Sequence, residues 1–364
     1  MGYKTYTVRI DLNNSDPETA CEYMDNAVGK TPGYDGWKDI NIIKNIKPCV
    51  LNNGEVQYYL QKDDYTKKED GTASVLDGTD GDVMVEIPKI GYRLWNDNNY
   101  QYVSVTEDPN KDGYCYYAHS LEADGDCDKI YYGAYFGYVD SNNLYSRSDV
   151  SPTTNITLID FRIHASNRGI GYSLESFFPK TLMQCLFVVM YKNLNSQAAL
   201  GRGLTSASAK VNTGGTNFLS FCYGTTSGSN QVKFLGIEDF WGNIYGWLDG
   251  VYSDSNCNIL TDYRNISDGH DFQFNAGQGV NNELGYISKI LGNNTSGFVP
   301  AEVNGSNSTY FADYNRVSPD CFNYCGGYWF DGRDGGAFCL RLGGSTSYSS
   351  SYVGARLLYK HKSN

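Results

Sequence analysis

The sequence predicts an α+β fold that is mainly β, with two helices and long loops, plus a small N-terminal region. Three observations lead to this class. Short runs that alternate polar and apolar residues recur in the first 160 residues, as half-buried strands do. Only two segments have a helical pattern, and beyond residue 200 Gly, Ser, Thr, Asn and aromatic residues dominate. The 364 residues suffice for about two domains, or for one large β-rich domain with an attachment.

The N-terminal part gives a weak pattern. Residues 3–10 and 55–61 alternate like strands, and residues 17–26 between them have helical character. The charged tract QKDDYTKKEDG at 61–71 predicts an exposed loop. We therefore place a domain border near residue 75, between an attachment region, residues 1–75, and a ligand-binding domain, residues 76–364.

The larger domain carries the clearer elements. Residues 161–168 precede Gly169, a typical helix end. The segment FPKTLMQCLFVVMY at 178–191 has Pro179 near its start and apolar residues on every side, which predicts a buried helix. Further strands are predicted at 83–87, 92–95, 100–105, 129–136, 155–159 and 353–359.

Charge and hydropathy exclude two kinds of partner. Lys and Arg total 29 and Asp and Glu total 41, so the net charge of -12 would repel a phosphate backbone and we expect no nucleic-acid partner. The longest apolar run, near Leu186, is far shorter than the roughly 20 residues that span a bilayer, so we expect no membrane insertion. Residues 1–10 lack the apolar core of a secretory signal, so no signal peptide is expected.

The composition favours a recognition surface. The chain has 32 Tyr and 40 Gly beside many Ser and Asn. Tyr supplies rigid amphipathic contact area, while Ser, Gly and Asn supply adaptable hydrogen bonds. A loop-rich β protein without such a role is the alternative. The ten cysteines show no regular spacing, which indicates mostly reduced thiols rather than a disulfide scaffold.

The densest aromatic segment is GIEDFWGNIYGWLDG at 236–250. Its glycines let backbones approach closely while Trp241 and Trp247 bury large apolar area. This predicts a core strand pair with a tight turn at residues 242–243. A carboxylate site formed by the neighbouring residues 238–239 is the alternative.

Three phrases, taken in order, carry a family resemblance. GNIYGW at 242–247, GGYW at 326–329 and SSSYVGAR at 349–356 resemble the C-type-lectin-like fold shared by formylglycine-generating enzymes and the variable proteins of diversity-generating retroelements. DGDVMVEIPK at 80–89 and NSQ at 195–197 are similar to phrases of phage tail proteins that carry this fold. The resemblance spans most of residues 78–358 and implies a closing strand with a buried arginine.

The resemblance also implies a variable region at 316–358, where Gly-Gly pairs punctuate aromatic, charged and small residues. In the retroelement family, adenine-rich codons are rewritten so that one position holds Asn, Tyr, Ser, Asp, Phe, Cys, Arg or Gly in different copies. Candidate ligand-binding residues drawn from that repertoire, expected as exposed side chains on a rigid backbone, are Phe322, Asn323, Tyr324, Cys325, Tyr328, Asp331, Arg333, Asp334, Cys339, Arg341, Ser345, Ser347 and Tyr348. The expected scaffold residues are Trp241, Trp247, Trp329 and Arg356.

The function that the resemblance implies is a receptor- or ligand-binding adhesin, a phage tail-fibre tip protein whose C-terminal surface is diversified by a retroelement. Its partners would be a host-cell surface protein or glycan and phage tail or other structural proteins, with a homotrimer as its assembly. Its location would be the virion or a bacterial cell surface. No cofactor, metal or catalysis is expected.

A carbohydrate-binding lectin is the first alternative, either calcium-dependent or metal-free. Carboxylates ligate calcium, and the candidates are Asp249, Asp254, Asp262 and Asp268. The pattern of calcium-dependent lectins, Glu-Pro-Asn or Gln-Pro-Asp followed by Trp-Asn-Asp, is absent from the sequence. A sugar could also stack on exposed Tyr or Trp without a metal.

The second alternative is a formylglycine-generating-type oxidase, which needs two thiolates within reach of one another in the final segment. The pair Cys321 and Cys325 precedes the Gly-Gly that it should follow, and Cys339 has no cysteine a few residues away. An iron site of three histidines is equally poorly supported, because no motif spacing connects His119, His164, His270 and His361. We therefore expect no enzyme.

Overall fold

A computed structural model describes residues 2–121, 125–264 and 271–361. Strands hold 35% of the residues and helices 10%, which confirms the mainly β, α+β class. The helices are α1 (Tyr34–Trp37), α2 (Asn41–Lys44), α3 (Leu158–Ser166), α4 (Phe177–Tyr191) and α5 (Ser196–Ala199). The strands up to residue 174 are β1 (Thr5–Asp11), β2 (Cys21–Asp25), β3 (Lys47–Asn52), β4 (Glu55–Gln61), β5 (Asp64–Lys68), β6 (Asp82–Pro88), β7 (Gly91–Asp97), β8 (Tyr100–Thr106), β9 (Lys129–Gly133), β10 (Tyr138–Asp140), β11 (Asn143–Tyr145) and β12 (Tyr172–Leu174). The later strands are β13 (Lys233–Phe234), β14 (Ile237–Glu238), β15 (Tyr245–Ser253), β16 (Asn258–Thr261), β17 (Phe274–Gln278), β18 (Leu284–Tyr286), β19 (Lys289–Ile290), β20 (Pro300–Glu302), β21 (Tyr314–Val317), β22 (Cys321–Cys325), β23 (Leu340–Gly344), β24 (Val353–Gly354) and β25 (Leu357–Lys360).

Three larger sheets organise the described residues. A seven-stranded sheet has the order β12-β25-β9-β6-β3-β4-β5, and a four-stranded sheet has the order β2-β1-β8-β7. An eight-stranded sheet runs β17-β16-β15-β22-β23-β21-β18, and β24 pairs with β15 beside this path. The last sheet holds most of the C-terminal half and carries the candidate site.

The helix α4 packs inside the protein, and all its residues are buried. It contacts α1, β1, β8 and β15, so it lies between the four-stranded and eight-stranded sheets. Pro179 sits in the first turn, where a missing N–H leaves no helical hydrogen bond unmade. The helix ends at Lys192, whose left-handed backbone has φ 49°. The predicted buried helix is thus confirmed, as is the one at 161–168, observed as α3.

Several sequence predictions of local structure are wrong. Residues 17–26 contain the strand β2 rather than a helix, because β2 pairs with β1 in the four-stranded sheet. The tract at 61–71 contains β5, which pairs with β4 and buries Tyr65, so it is not an exposed loop throughout. Residues 155–159 lead into α3, whose first turn is capped by the Thr157 side chain.

Strands on both sides of residue 75 share two sheets. The four-stranded sheet pairs β1 with β8, and the seven-stranded sheet pairs β3 with β6. The described part of residues 1–75 therefore contributes to the same sheets as the following chain. Within the described ranges, no helix is long and apolar enough to cross a membrane.

The side chain of Arg356 connects distant segments in the core. It lies between β24 and β25 and is 1% exposed. Its Nη1 donates to the carbonyl oxygen of Gly133 at 3.0 Å, and its Nη2 donates to those of Glu238 at 2.8 Å and Asp239 at 3.2 Å. Its Nε lies 3.8 Å from the carboxylate of Glu175. The buried arginine implied by the resemblance is therefore present.

Glu175 extends this network to the buried helix. Its carboxylate accepts a hydrogen bond from the hydroxyl of Tyr132 and lies 3.4 Å from Nζ of Lys180. The same Nζ donates to the carbonyl oxygen of Phe240 at 3.1 Å. Buried charges are stable only when they are paired and hydrogen-bonded, and each charge here has such partners.

Replacing Arg356 with Met should destabilise the protein by about 3–5 kcal/mol, because the change leaves buried carbonyl groups and Glu175 without their partner. Urea unfolding followed by circular dichroism measures this difference. The matched control is Arg333→Met at an exposed site, which should change stability by less than about 0.5 kcal/mol. Equal stability of the two variants would contradict the assigned role of Arg356.

Candidate functional site

The candidate site lies where β22 and β23 continue the sheet from β15. The antiparallel register places Tyr324 between Trp247 of β15 and Arg341 of β23. Side chains in one such cross-strand row point to the same face. Trp247 is fully buried in this row, whereas Tyr324 and Arg341 are half-buried. The row thus leads from the core to solvent.

Four half-buried tyrosines gather on this face, and we call Tyr324, Tyr328, Tyr348 and Tyr352 the tyrosine surface. The rings of Tyr324 and Tyr348 stack with centroids 5.8 Å apart, and those of Tyr328 and Tyr352 lie 4.9 Å apart. The hydroxyls of Tyr348 and Tyr352 are 2.7 Å apart and share a hydrogen bond. The four side chains therefore form one connected surface.

Two buried aromatic residues support the tyrosine surface from below. Tyr245 is 2% exposed, and its ring lies 4.9 Å from that of Tyr324 and 5.6 Å from that of Tyr328. Trp247 is edge-on to Tyr324 at 5.7 Å and to Tyr348 at 6.2 Å. Edge-to-face and offset-stacked rings attract one another beyond their apolar contact, so this base restrains the rings above it.

The structure corrects the expectation of exposed side chains at Phe322, Asn323, Cys325 and Cys339, all of which are buried. Three of these residues belong to β22, which lies inside the sheet between β15 and β23. Cys339 directly precedes β23 and belongs to the same buried apolar cluster as Phe322. Asn323 accepts a hydrogen bond from the backbone N–H of Arg341 at 3.0 Å, which helps to fix the register of β22 against β23. The ring of Phe322 packs 5.0 Å from that of Tyr252 in the core.

The charged candidates lie beside the tyrosine surface and are mostly engaged with other groups. Arg341 is 3.8 Å from the carboxylate of Asp331, and its guanidinium lies 5.6 Å from the ring centre of Tyr245. The carboxylate of Asp334 accepts a hydrogen bond from the Tyr286 hydroxyl. Burial raises the pKa of Asp331 above its ordinary value.

Three further candidates are exposed. Arg333, Ser345 and Ser347 all face solvent, and the two serine hydroxyls lie 3.0 Å apart. The turn that displays them is closed by a hydrogen bond of 2.9 Å from the backbone N–H of Tyr348 to the Ser345 carbonyl. Trp329, expected as scaffold, is half-buried, while Trp241 and Trp247 are fully buried.

Sequence reasoning missed Tyr352 and Tyr245 as parts of this site. Tyr352 was assigned only to the closing-strand motif, yet it follows Tyr348 by four residues across a turn, and its ring completes the surface. Tyr245 was part of a motif expected in the core, which is where it lies. The alternation of Tyr245 and Trp247 along one strand was the signal for a shared face.

A different role belongs to the buried carboxylate of Asp313, which holds the segment leading into β23. It is 1% exposed and accepts a hydrogen bond of 2.6 Å from the backbone N–H of Phe338. A side chain at Gly336 would approach this carboxylate to 2.1 Å, so the glycine allows close packing. Burial raises the pKa of Asp313 well above its ordinary value.

The alternative sites are engaged in other contacts. The carboxylate of Glu238 accepts 2.8 Å hydrogen bonds from the backbone N–H groups of Gly214 and Thr216, and that of Asp239 accepts one of 2.8 Å from Asn243. Both carboxylates are buried. The strand pair predicted around residues 242–243 is wrong, because β14 pairs with β13 while β15 pairs with β16, β22 and β24.

The calcium candidates also have protein partners. Asp249 pairs with Arg162 at 2.5 Å and Asp262 with Arg264 at 2.6 Å. Asp254 accepts hydrogen bonds from the backbone of its own turn. Asp268 and His270 lie outside the described residues. In the part of the chain that the structure describes, no three His, Cys, Asp or Glu side chains are grouped to hold a metal ion.

The thiols of the oxidase alternative are free and shielded. Cys325 and Cys339 are buried, and Cys321 is half-buried. Burial raises the pKa of Cys325 to about 12 and that of Cys339 well above its ordinary value. The thiolate is the form that reacts or binds copper, and burial disfavours that form at both sulfurs.

No family model and no curated protein matches the chain. Among solved structures, PvdO from Pseudomonas aeruginosa is similar with a TM-score of 0.32 and 11% identity, over 79% of this chain and 98% of that one. The Major Tropism Determinant P3c variant is similar with a TM-score of 0.30 and 11% identity, over 100% of this chain and 73% of that one. TM-scores and identities this low do not support a functional inference, so we infer function from the site itself.

Replacing Trp247 with Ala should destabilise the protein by about 3–5 kcal/mol, because the change leaves a cavity beneath the tyrosine surface. Urea unfolding measures this loss. Trp95→Ala, which removes a half-buried ring stacked on Tyr102, is the control and should cost less. Wild-type stability of the Trp247 variant would contradict its place in the supporting base.

Replacing Asp313 with Asn should change the pH dependence of stability. Burial raises the pKa of Asp313 in the folded state above its value in the unfolded chain, so the folded state holds this proton to a higher pH. The wild type therefore loses stability as the pH rises from the unfolded pKa through the folded pKa. The variant lacks this penalty, so its free energy of unfolding should rise relative to that of the wild type as the pH increases. Urea unfolding at pH 4, 6 and 8 tests this, with the exposed Asp112→Asn as control. A stability difference independent of pH would contradict the assignment.

Proposed function

We propose that the chain is a receptor-binding adhesin that contacts its ligand through the tyrosine surface. The observation that carries this proposal is the set of four half-buried tyrosines on a fully buried aromatic base. Soluble proteins rarely leave such a cluster uncovered without a binding role. Tyr is also among the residues that contribute most binding energy in protein interfaces.

The support beneath the rings lowers the cost of binding. A flexible side chain loses rotamer freedom when a partner immobilises it, and that loss weakens the complex. The rings of Tyr324 and Tyr348 already stack on each other and against Trp247. Most of that ordering cost is therefore met during folding, so the free protein presents the surface in its binding conformation.

The finer assignment follows the sequence resemblance. We propose a C-type-lectin-like fold, diversification of residues 316–358 by a retroelement, and a place at the tip of a phage tail fibre or on a bacterial surface. We also propose a homotrimer, since several linked copies convert weak single contacts into firm attachment. The exposed Arg333, Ser345 and Ser347 support this reading, because substitutions there disturb few packing contacts.

We propose that binding involves no catalysis and no cofactor. The high pKa values of the Cys325 and Cys339 thiols support this for the oxidase chemistry considered above. The receptor would be a surface protein or a glycan of the host cell. Either one can be contacted by half-exposed phenol rings, since each ring offers an apolar face and a hydroxyl.

Replacing Tyr324, Tyr328 and Tyr348 together with Ala should reduce attachment to host cells by at least about 100-fold, since each is a candidate hot spot. Flow cytometry of the labelled protein on a panel of intact bacterial isolates measures attachment. The melting temperature should fall modestly, because the removed rings contact Trp247 and Tyr245.

The matched control replaces three half-buried tyrosines elsewhere, Tyr100, Tyr102 and Tyr138, with Ala. This variant loses the same atoms and should attach like the wild type. If both triple variants attach equally well, the tyrosine surface is not the binding site. If the first variant loses cooperative unfolding, Tyr348→Ala alone serves as the test.

A further inference from the structure

The loop that borders the tyrosine surface displays a phenylalanine to solvent. Phe330 is 72% exposed, although it lies between the half-buried Trp329 and Asp331. An apolar ring in water is unfavourable, and its burial against a partner releases that cost. Phe330 was not among the binding residues predicted from the sequence.

Both backbone groups of Trp329, the residue before Phe330, are hydrogen-bonded. The N–H of Trp329 donates to the carbonyl oxygen of Asn243 at 3.1 Å, and the Trp329 carbonyl accepts from the N–H of Ala207 at 2.7 Å. Asn243 is fully buried, so this attachment is to the core.

The backbone after Phe330 is fixed as well. The N–H of Gly332 donates to the carbonyl oxygen of Thr205 at 2.7 Å, and the carbonyl of Gly332 accepts from the side-chain amide of Gln197 at 3.0 Å. Gly327 has φ 85°, and a Cβ there would approach Gly335 Cα to 2.6 Å, so the two ends of the loop touch. Phe330 is therefore held on a closed, anchored loop.

The charged side chains around this loop differ in whether they have a partner within the protein. The carboxylates of Asp331 and Asp334 are engaged by Arg341 and Tyr286. Arg333 is exposed, and the described part of the chain offers it no ion pair. Asp334 keeps its negative charge, because the Tyr286 hydroxyl is neutral, but Arg333 presents beside Phe330 a cation that no carboxylate of the described residues pairs with.

We propose that Phe330 is the apolar anchor of the binding surface and inserts into an apolar pocket, rimmed by carboxylates, on a protein receptor. This inference rests on the proposed function. A ring exposed over most of its area is covered only by a partner that surrounds it, as a protein pocket does. A sugar would stack on one face, and its hydroxyls would find no hydrogen-bonding group on the ring. An exposed ring that is held on a rigid loop and fills a pocket of the partner is a typical interface anchor.

The test compares Phe330→Ala with Phe218→Ala in the full chain. Phe218 is 71% exposed, so both changes remove nearly the same apolar area, but Phe218 belongs to a different loop, whose neighbouring Asn217 carbonyl bonds to the N–H of Tyr65. The labelled variants are applied to intact bacterial isolates that bind the wild type. Each isolate is used untreated, after proteinase K and after periodate.

Phe330→Ala should weaken attachment by about 30-fold or more, and Phe218→Ala should leave it unchanged. Phe330→Leu should retain part of the affinity. Arg333→Glu should weaken attachment and reverse its salt dependence, because a carboxylate would then face carboxylates. Proteinase K should abolish attachment, whereas periodate should not.

The outcomes separate this inference from the proposed function. If the triple tyrosine variant fails to attach while Phe330→Ala attaches like the wild type, the anchor is overturned and the adhesin stands. If periodate rather than proteinase K abolishes attachment, the receptor is a glycan and the protein pocket is overturned. If the wild type attaches to no isolate in the panel, or the tyrosine variant attaches normally, the proposed function fails and the anchor fails with it.

Discussion

The buried ion network around Arg356 holds together segments that are far apart in the sequence. Through one guanidinium, the segment between β24 and β25 is connected to β9, to the end of β14 and to the start of α4. These segments come from widely separated parts of the sequence, and each supplies a carbonyl or carboxylate that would be costly to leave unpaired. Backbone hydrogen bonds reinforce the link, because the N–H of Glu175 donates to the Arg356 carbonyl at 2.8 Å. The network therefore fixes the segment between β24 and β25 against β9, β14 and the residues that precede α4.

This network also positions the candidate site. The strand β24, which lies just before Arg356 in the sequence, pairs in parallel with β15. Next to it, the N–H of Tyr245 donates to the Tyr352 carbonyl at 2.9 Å. A shift of the Arg356 segment would therefore move Tyr352 relative to Tyr245. In the same region the N–H of Asp249 donates to the Glu175 carbonyl at 3.0 Å, which fixes the other half of β15 to the network. The aromatic base of the tyrosine surface thus lies on a strand held at two points.

The part of this arrangement that the sequence could predict is the part with local signals. The apolar run of α4, the bulky Trp241 and Trp247 between glycines, and the arginine in SSSYVGAR each carry their own pattern, and each lies in the core as predicted. The burial of Asn323 and Cys325 could not be predicted, because it depends on β22 lying between two strands that are distant in sequence. For the same reason the sequence of residues 17–26 predicts a helix, although pairing with β1 makes part of it the strand β2.

The residues of the candidate site differ in how much the fold depends on them. In the proposed function Tyr324 would serve both folding and binding. Its ring contacts Trp247 below and is half-exposed above, so a change there alters the stability of the base as well as the surface. Ser345, Ser347 and Arg333 are exposed and have few partners, so their identity can change at little cost to folding. A surface built in this way has a fixed aromatic centre and an adjustable rim. Affinity would then come from the centre, while the rim would decide which partner fits, because mismatched polar groups at a rim disfavour the wrong partner.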